Sequence, residues 1–505
     1  MHLSRRLLTA PEFAATLLRS GRLADLSMLE HFTGVAATQA NVTKSAEVTS
    51  ANEKLELHNP RSWIESVFAQ QPGNLYVSPE AQGSLSAKSA GGKNQFSLSG
   101  SVSAVNGDSA APASAIACAT LENGEAALFT FSALDAPTLK TARQHSGLRR
   151  RLDLNGHPSQ LVDLPEGTSV PEYAAQQLFQ RRIGYCHNVA KILESLQHVC
   201  ALHASSAARY DALLLRDQQA QKTVAQLQCL RFGVETASSY AQFSGNASDA
   251  AMARLYAGSA LETAAIGAKS LLGPLVALED GTHTANPAIR IPYRYVGDVA
   301  QIAPDLASLD GAAVDIADFA IGDLVSGAQK TSPAAASPLA QLRGGSSRVV
   351  RLTSPHLNLS ITSQTIEKDS TLLLQTLSKR AQGTKGSSKK SSELALINAV
   401  GQFVAEIFVS TAAVYRSTAT LQVDEESSAA QQHWLWTQGL CDLSRGRRAR
   451  ILQQLQLDDG SVKSLWSSIQ DKDYDEIAVH PVEAGMMKAA AKAVPKAQPA
   501  SKSKA

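Results

Sequence analysis

Two periodicities divide the chain. Between residues 73 and 168, apolar and polar positions alternate in short runs: Gln95–Val105 (QFSLSGSVSAV), then AIACATL and AALFTF on either side of Glu122-Asn123-Gly124. Alternation bounded by an Asn-Gly turn is the signature of antiparallel strands joined by hairpins, so 73–168 is predicted to be a small β domain. From Pro171 the spacing changes. Ile183, Val189, Ile192, Leu193, Leu196 and Val199 recur every three or four residues, and further helical stretches follow at about 210–244 and 247–272. Pro274, Pro287 and Pro292 punctuate what comes next, before a short helix predicted over Gly311–Val325. Long helices joined by short links pack most simply as an antiparallel bundle, here 171–325.

A Pro/Ala/Ser/Gly linker at 326–347 leads to a second helical region, 348–480. Its strongest feature is the stripe Ile397, Val400, Phe403, Val404, Ile407, Phe408, Thr411, Val414 and Tyr415, with Asn398, Gln402 and Glu406 on the opposite face. That stripe is wider than one neighbouring helix requires. Two readings stay open: part of it covers a partner chain or a membrane surface, or the whole helix is internal. A further helix is expected from Ser427 to Leu457, after the basic loop Gln382–Ser392. Ahead of the β domain, 23–72 is read as a short helical region, irregular except for one helix near Pro60–Gln70, and 485–505 as a disordered basic tail.

Composition narrows the function classes. The chain has 505 residues with 44% hydrophobic and 18% charged, and a net charge of +2, so no strong field points to nucleic acid. Cys118, Cys186, Cys200, Cys229 and Cys441 are far apart and lack zinc-ligand spacing, which argues for reduced thiols rather than a disulfide scaffold. The longest apolar stretch, Leu394 to Val414, is broken by Asn398, Gln402 and Glu406, too often for a membrane span. In residues 1–22, Arg5, Arg6, Arg19 and Arg22 interleave with leucines and Glu12 is the one acid. That is the composition of a mitochondrial transit peptide.

The order β domain, long-helix bundle, linker and further helical region resembles the acyl-CoA dehydrogenases, and the extra C-terminal part resembles their very-long-chain branch. The resemblance spans about Leu75 to Ser468. Leu75–Leu85 (LYVSPEAQGSL) sits where the family reads L-T-E-P-x-x-G-S-D, with Gly83 and Ser84 matching. Phe96–Gly107 is similar to the strand Y-x-L-N-G-x-K-x-W-I-T-N through Leu98 and Gly100, but Ala104 stands at the Trp and Asn106 at the residue beside the flavin. Arg209 in AARYDA matches the start of a flavin-binding turn whose Gln-Phe-Gly does not follow. Ser270-Leu271-Leu272-Gly273 keeps one glycine of the G-G-x-G turn. Ile289–Ile302 resembles R-I-x-R-I-Y/F-E-G-T-x-x-I, with Arg294, Tyr295 and Gly297 in place and Val296 in the slot of the catalytic carboxylate. On the earlier helix that carries the base in some branches, Asp249 and Glu262 are the acids nearby.

The resemblance implies an α+β acyl-CoA dehydrogenase-like fold whose chemistry has been lost. Abstracting an α-proton from a thioester requires a base beside that carbon and a flavin to take the hydride. Val296 supplies no base, and Ala104 supplies no aromatic wall. The expectation is a mitochondrial pseudoenzyme of the matrix or the matrix face of the inner membrane, without catalytic residues or cofactor. Gly83, Ser84 and Arg209 would be vestiges of cofactor binding. It would act as structural subunit or assembly factor of a respiratory complex, after the family precedent in complex I assembly. Its partners would be proteins, with a homodimer or a heterodimer with a paralogue expected, and contact with the inner-membrane surface. Two alternatives stay open: an active FAD-dependent acyl-CoA dehydrogenase of β-oxidation, and a component of a mitochondrial ribosome or RNA complex.

Other clusters read as structural. His187, His198 and His203 share a helical stretch without ligand spacing. Arg445, Arg447, Arg448 and Arg450 read as a solvated or ion-paired face, and Trp434 and Trp436 as core or interface anchors. Glu279-Asp280 reads as a turn, and Ser84, Ser99 and Ser101 lack His/Asp partners for hydrolysis.

Overall fold

The architecture was established from a computed structural model. The structure describes 26–43, 74–76, 85–91, 94–105, 115–131, 139–143, 149–162, 164, 170–209, 212–277, 281–284, 286, 289–307, 351–383 and 391–456. The chain divides into two units, Met1–Leu452 and Gln453–Ala505; of the second, only the helical residues to Gln456 are described.

The predicted β domain is a seven-stranded sheet: β1 (Asn74–Tyr76), β2 (Leu85–Ser89), β3 (Gln95–Val105), β4 (Ala115–Leu121), β5 (Ala126–Phe131), β6 (Leu139–Arg143) and β7 (Arg149–Leu161). Strands β4-β2-β3-β7-β5 close on themselves, because β5 pairs with both β4 and β7. Closure leaves one face inside, and Leu85, Ala87, Leu98, Ala119, Ala127, Phe129, Phe131 and Leu154 fill it. The β4–β5 hairpin turns at Glu122-Asn123-Gly124 as the sequence predicts. Gly124 takes φ +85° and its N–H donates to Leu121 O at 2.9 Å. Ser99 Oγ is used at the bulge between β3 and β7, where it accepts from Gly156 N at 3.1 Å.

The helices are α1 (Leu26–Thr43), α2 (Val170–Ser206), α3 (Gln218–Ser244), α4 (Ala247–Leu272), α5 (Tyr293–Ala307), α6 (Ser360–Gly383), α7 (Ser391–Val423) and α8 (Ser428–Gln456). Local signals set their ends: Asp217 Oδ1 caps α3 by accepting from Gln219 N, Gly245 at φ +68° ends it, and Ser427 Oγ accepts from Ala430 N at the start of α8. α2, α3 and α4 pack on one another, and α7 packs against α1, α3, α4 and α6. By length and composition α4 could cross a bilayer, yet Asp249 and Arg254 are buried on it among alanines that meet the neighbouring helices.

Three sequence expectations are corrected. Helix α1 was missed: Met28, Phe32 and Ala36 are buried at i, i+4 and i+8, a stripe too narrow to stand out among Thr, Gly and Ala. The helices expected at Pro60–Gln70 and Gly311–Val325, the linker and the tail lie outside the described residues. Glu406 is not on a solvated face but 3% exposed, because α7 is covered on every side between Val400 and Leu421 except at Gln402 and, in part, at Arg416. Of the stripe, Val400, Phe403, Val404, Ile407, Phe408, Thr411, Val414 and Tyr415 are all buried within the chain, so those positions form no partner surface.

A titrating pair is built into this core. His31 on α1 is held by Ser239 Oγ at 3.0 Å and stacks on Phe243, while His433 on α8 lies beside Phe232 and Trp436. Burial first, and then the Arg416 guanidinium, lower both histidines to about 4.

Phe403→Ala is expected to cost roughly 3–5 kcal/mol by leaving a cavity in the core, against a near-neutral Gln402→Ala, measured by urea unfolding. The two histidines set the acid response. Their folded values lie below the unfolded value of 6.5, so the unfolded chain binds more protons as pH falls. Stability is therefore complete above pH 6.5 and lost progressively toward pH 4, and His31→Gln/His433→Gln should flatten the urea midpoint across that window.

Candidate functional site

The segment that resembles the family's catalytic stretch is built as packing. After the two-residue ladder β10 (Gly281–Thr282) and β11 (Arg290–Ile291), Pro292 breaks the strand and α5 begins at Tyr293. Val296, Val299 and Ala303 are 1% exposed or less and form the inward stripe of α5, which packs on α4. A Cβ at Gly297 would stand 2.6 Å from Val276 O, so the turn Gly273–Ala277 presses on this helix and only glycine fits. A Cβ at Gly281 would collide with the Tyr293 ring in the same way. Arg294 is exposed, and the Tyr295 hydroxyl is pushed up to about 12 by burial.

The end of α2 clasps this segment. His203 Nδ1 lies 3.1 Å from the Tyr293 hydroxyl, with the rings edge to face at 5.5 Å. Burial lowers His203 and raises Tyr293, so both are neutral near pH 7 and the pair is a latch between uncharged groups. Thr284 Oγ1 donates to Ser206 O at 2.7 Å. Ser205 Oγ sits 3.1 Å from His283 Nε2, a spacing that suits a nucleophile and its base. The remaining bonds reverse those roles: His283 Nδ1 accepts from Asn286 N, leaving Nε2 to donate, and Ser205 gives its own hydrogen to Leu202 O. A histidine donating to serine cannot take the serine proton, and this pair is not a hydrolytic dyad.

The other sequence candidates separate. Gly83, Ser84, Asn106, Glu279 and Asp280 lie outside the described residues. Arg209 is in the ladder β8 (Ala208–Arg209), paired with Ala212 of β9 (Ala212–Leu213) between α2 and α3. Ala104 pairs with Arg150 within the sheet. Asp249 is fully buried at the start of α4, and Glu262 is partly exposed nearly three turns before its end. His187 and His198 are exposed on α2 while His203 is buried, and among the described residues no group of side chains could hold a metal.

Half of the arginine cluster is internal. Arg447 Nε lies 2.7 Å from Glu406 Oε1 and its Nη2 3.1 Å from Oε2, while Arg448 Nε lies 2.9 Å from Asp369 Oδ2. Ser444 Oγ donates to Glu406 at 2.6 Å and accepts from Arg448 at 2.7 Å, joining the two pairs. Burial works against the Arg447 charge, and the Glu406 carboxylate and the Tyr256 hydroxyl together outweigh it, leaving the guanidinium held above its ordinary value. Arg445 and Arg450 remain exposed. Trp436 is half-buried beside Phe232, at 5.6 Å between ring centres, and Trp434 Nε1 donates to Asn358 O at 3.4 Å.

No protein-family model matches the chain, and no curated protein matches it. Solved structures do. An acyl-CoA dehydrogenase from Bacillus anthracis, complexed with FAD, superposes with a TM-score of 0.54 at 12% identity, over 83% of this chain and 74% of that one. The chain has an acyl-CoA dehydrogenase-like fold. Caenorhabditis elegans ACDH-11, in complex with C11-CoA, is similar over 82% of this chain and 70% of that one, at 11% identity and a TM-score of 0.44.

FAD can be tested against the residues that the resemblance assigns to it. Ser270, Leu271 and Leu272 are the last turn of α4: Ser270 Oγ bonds Ile266 O, Leu272 is buried, and Leu271 packs on the cluster Ala204, Leu214 and Ala220. A helical turn with committed amides and packed leucines offers no open backbone to a phosphate, so these residues do not fit the group. Val296, fully buried, offers no proton acceptor where the acyl-CoA dehydrogenases place one.

Val296→Glu should therefore bury an unpaired carboxylate and cost several kcal/mol, on the order of 3–5, without creating turnover of any acyl-CoA. Thermal unfolding and a dye-reduction assay read the two outcomes. Gly297→Ala should lower the melting temperature through its clash with the Val276 carbonyl, while Arg294→Ala, on the exposed side of α5, should leave it unchanged.

Proposed function

We propose that this chain is an acyl-CoA dehydrogenase-like protein without dehydrogenase activity, serving in mitochondria as a structural subunit or assembly factor of a larger respiratory complex. The observation that carries the reading is Val296. It sits fully buried in the inward stripe of α5, beside a glycine seated on a neighbouring carbonyl. The segment that elsewhere delivers a base to substrate here contributes to a core. A fold kept over most of its length while its reactive positions turn apolar is a fold kept for its shape, and shape serves partners rather than substrates.

The location rests on the arginine-rich, acid-poor composition of residues 1–22. Burial of the α7 stripe removes that face as the contact, so partners would bind elsewhere on the chain, with a homodimer or a heterodimer with a paralogue as the expected unit. Internal use of Arg447 and Arg448 counts against an RNA surface on α8. The second reading, an active FAD-dependent acyl-CoA dehydrogenase, is favoured by the FAD in the Bacillus anthracis structure.

Protein purified gently from mitochondria should be colourless and release no flavin on denaturation, and it should run on a native gel within a large complex. Stoichiometric FAD in the purified protein would establish the second reading instead. A reporter carrying residues 1–30 should enter mitochondria; cytosolic reporter, or a native species no larger than a free dimer, would remove the scaffold reading.

A further inference from the structure

Four of the large apolar side chains that are exposed among the described residues gather at one end of the second helical region. Leu357 lies in the short turn Leu357–Leu359 that leads into α6, Ile361 in the first turn of α6, Val423 at the end of α7 and Leu435 near the start of α8. Leu357 is 85% exposed and Ile361 80%. Hydrogen bonds tie these segments together. Asn358, beside Leu357, donates through Nδ2 to Glu425 Oε1 at 2.9 Å, in the turn between α7 and α8. Its carbonyl accepts from Trp434 Nε1 at 3.4 Å, so the half-buried indole stands between the start of α6 and the ridge of α8 that carries Leu435. The inward positions of the same elements are already taken by Leu359, Ile366, Leu421 and Leu440, all buried. The outward residues therefore add nothing to the core. Single exposed leucines need no explanation, but several gathered around an indole mark an interaction surface.

Charge at this end has one sign. Segments 352–366 and 417–441 hold Asp424, Glu425 and Glu426 and no lysine or arginine. All three acids are exposed. Asp424 Oδ1 accepts from Glu426 N at 3.2 Å and Glu425 accepts from Asn358, and neither bond brings a positive charge. Among the described residues no cation pairs with any of the three. That sign selects the occupant. An isologous pairing of two copies would bring two acidic turns into one interface, and an anionic bilayer would be repelled by the turn. A helix with one apolar face and a flank of lysine or arginine satisfies both halves of the surface.

We propose that Leu357, Ile361, Trp434 and Leu435, beside the acidic turn Asp424–Glu426, dock a cationic amphipathic helix of a partner protein. As the route into a larger complex this surface rests on the proposed scaffold role; its affinity for such a helix does not.

The test is a fluorescence-anisotropy titration of the full chain against a labelled synthetic helix of about 18 residues, roughly five turns, with leucines on one face and lysines on the other. Binding is expected, and Leu357→Ser/Ile361→Ser should weaken it about tenfold or more. Glu426→Lys should weaken it about threefold at low salt, an effect that shrinks as salt is raised. Ile266→Ser, which removes an exposed isoleucine of α4, should change it less than about twofold. Every altered side chain is exposed, so all variants should melt with the parent. No binding, equal binding of a leucine/glutamate helix of the same pattern, or binding untouched by the double variant would overturn the proposal. So would sedimentation showing a dimer of the chain that Leu357→Ser/Ile361→Ser dissociates, in favour of a second copy. Vesicles containing phosphatidylglycerol that capture the parent and not the double variant would overturn it in favour of a lipid surface. If the cationic helix binds as expected while the protein runs free on a native gel of mitochondrial extract, the surface stands and the scaffold reading falls.

Discussion

The Glu406–Arg447 ion pair is the constraint around which the helical part of the molecule is arranged. Helix α7 is surrounded between Val400 and Leu421, so its one carboxylate in that span must be neutralised from a neighbouring helix. Arg447 does so from α8 with both oxygens engaged, and Ser444 ties the pair to Arg448 and Asp369 on α6. Breaking one partner of such a buried pair strands a charge, at a cost of roughly 3–5 kcal/mol. The network therefore fixes the rotation and register of three helices at once. Hydroxyls finish the fit: Ser417 bonds Thr437 at 2.6 Å, and Thr437 donates to Ala413 O.

Helix α1 depends on the same arrangement. With α7 inside, its surface has room for one more helix, and Met28, Phe32 and Ala36 cover it there. Gly233 lies under the Tyr256 hydroxyl and Gly439 under Cys229 Sγ, where a Cβ would come within 2.8 and 2.7 Å, so close approach of α3, α4 and α8 also rests on missing side chains. The β domain is stabilised differently. It closes on itself, and among the described residues its interior is filled by its own apolar side chains together with His157 and Ser159.

The segment that resembles the family's catalytic stretch is held in place by packing. Its glycine and its helix are in place, and each has a packing reason: Gly297 for the Val276 carbonyl and Val296 for the core, with the neighbouring Tyr293 held by His203. The missing carboxylate was legible in the sequence, because it needs only a residue comparison. The reversal of roles between Ser205 and His283 was not. Seventy-eight positions separate them, and the direction of their hydrogen bond depends on the Asn286 amide on the far side of the ring.

The sequence by itself determined the elements. Period two between 73 and 168 became strands, period three to four from Pro171 became helices, and caps and the Asn-Gly turn ended them close to where they were expected. These signals are local, since propensity, capping and alternation act within one element. Only the tertiary structure decided which surfaces meet water. On their own helices Arg447 and Arg448 read equally as solvated or ion-paired charges, and the α7 stripe equally as a partner surface or an internal face. The choice lay outside the sequence for one reason: a charge or an apolar face acquires its environment from helices far away in sequence, and no periodicity within the helix records them.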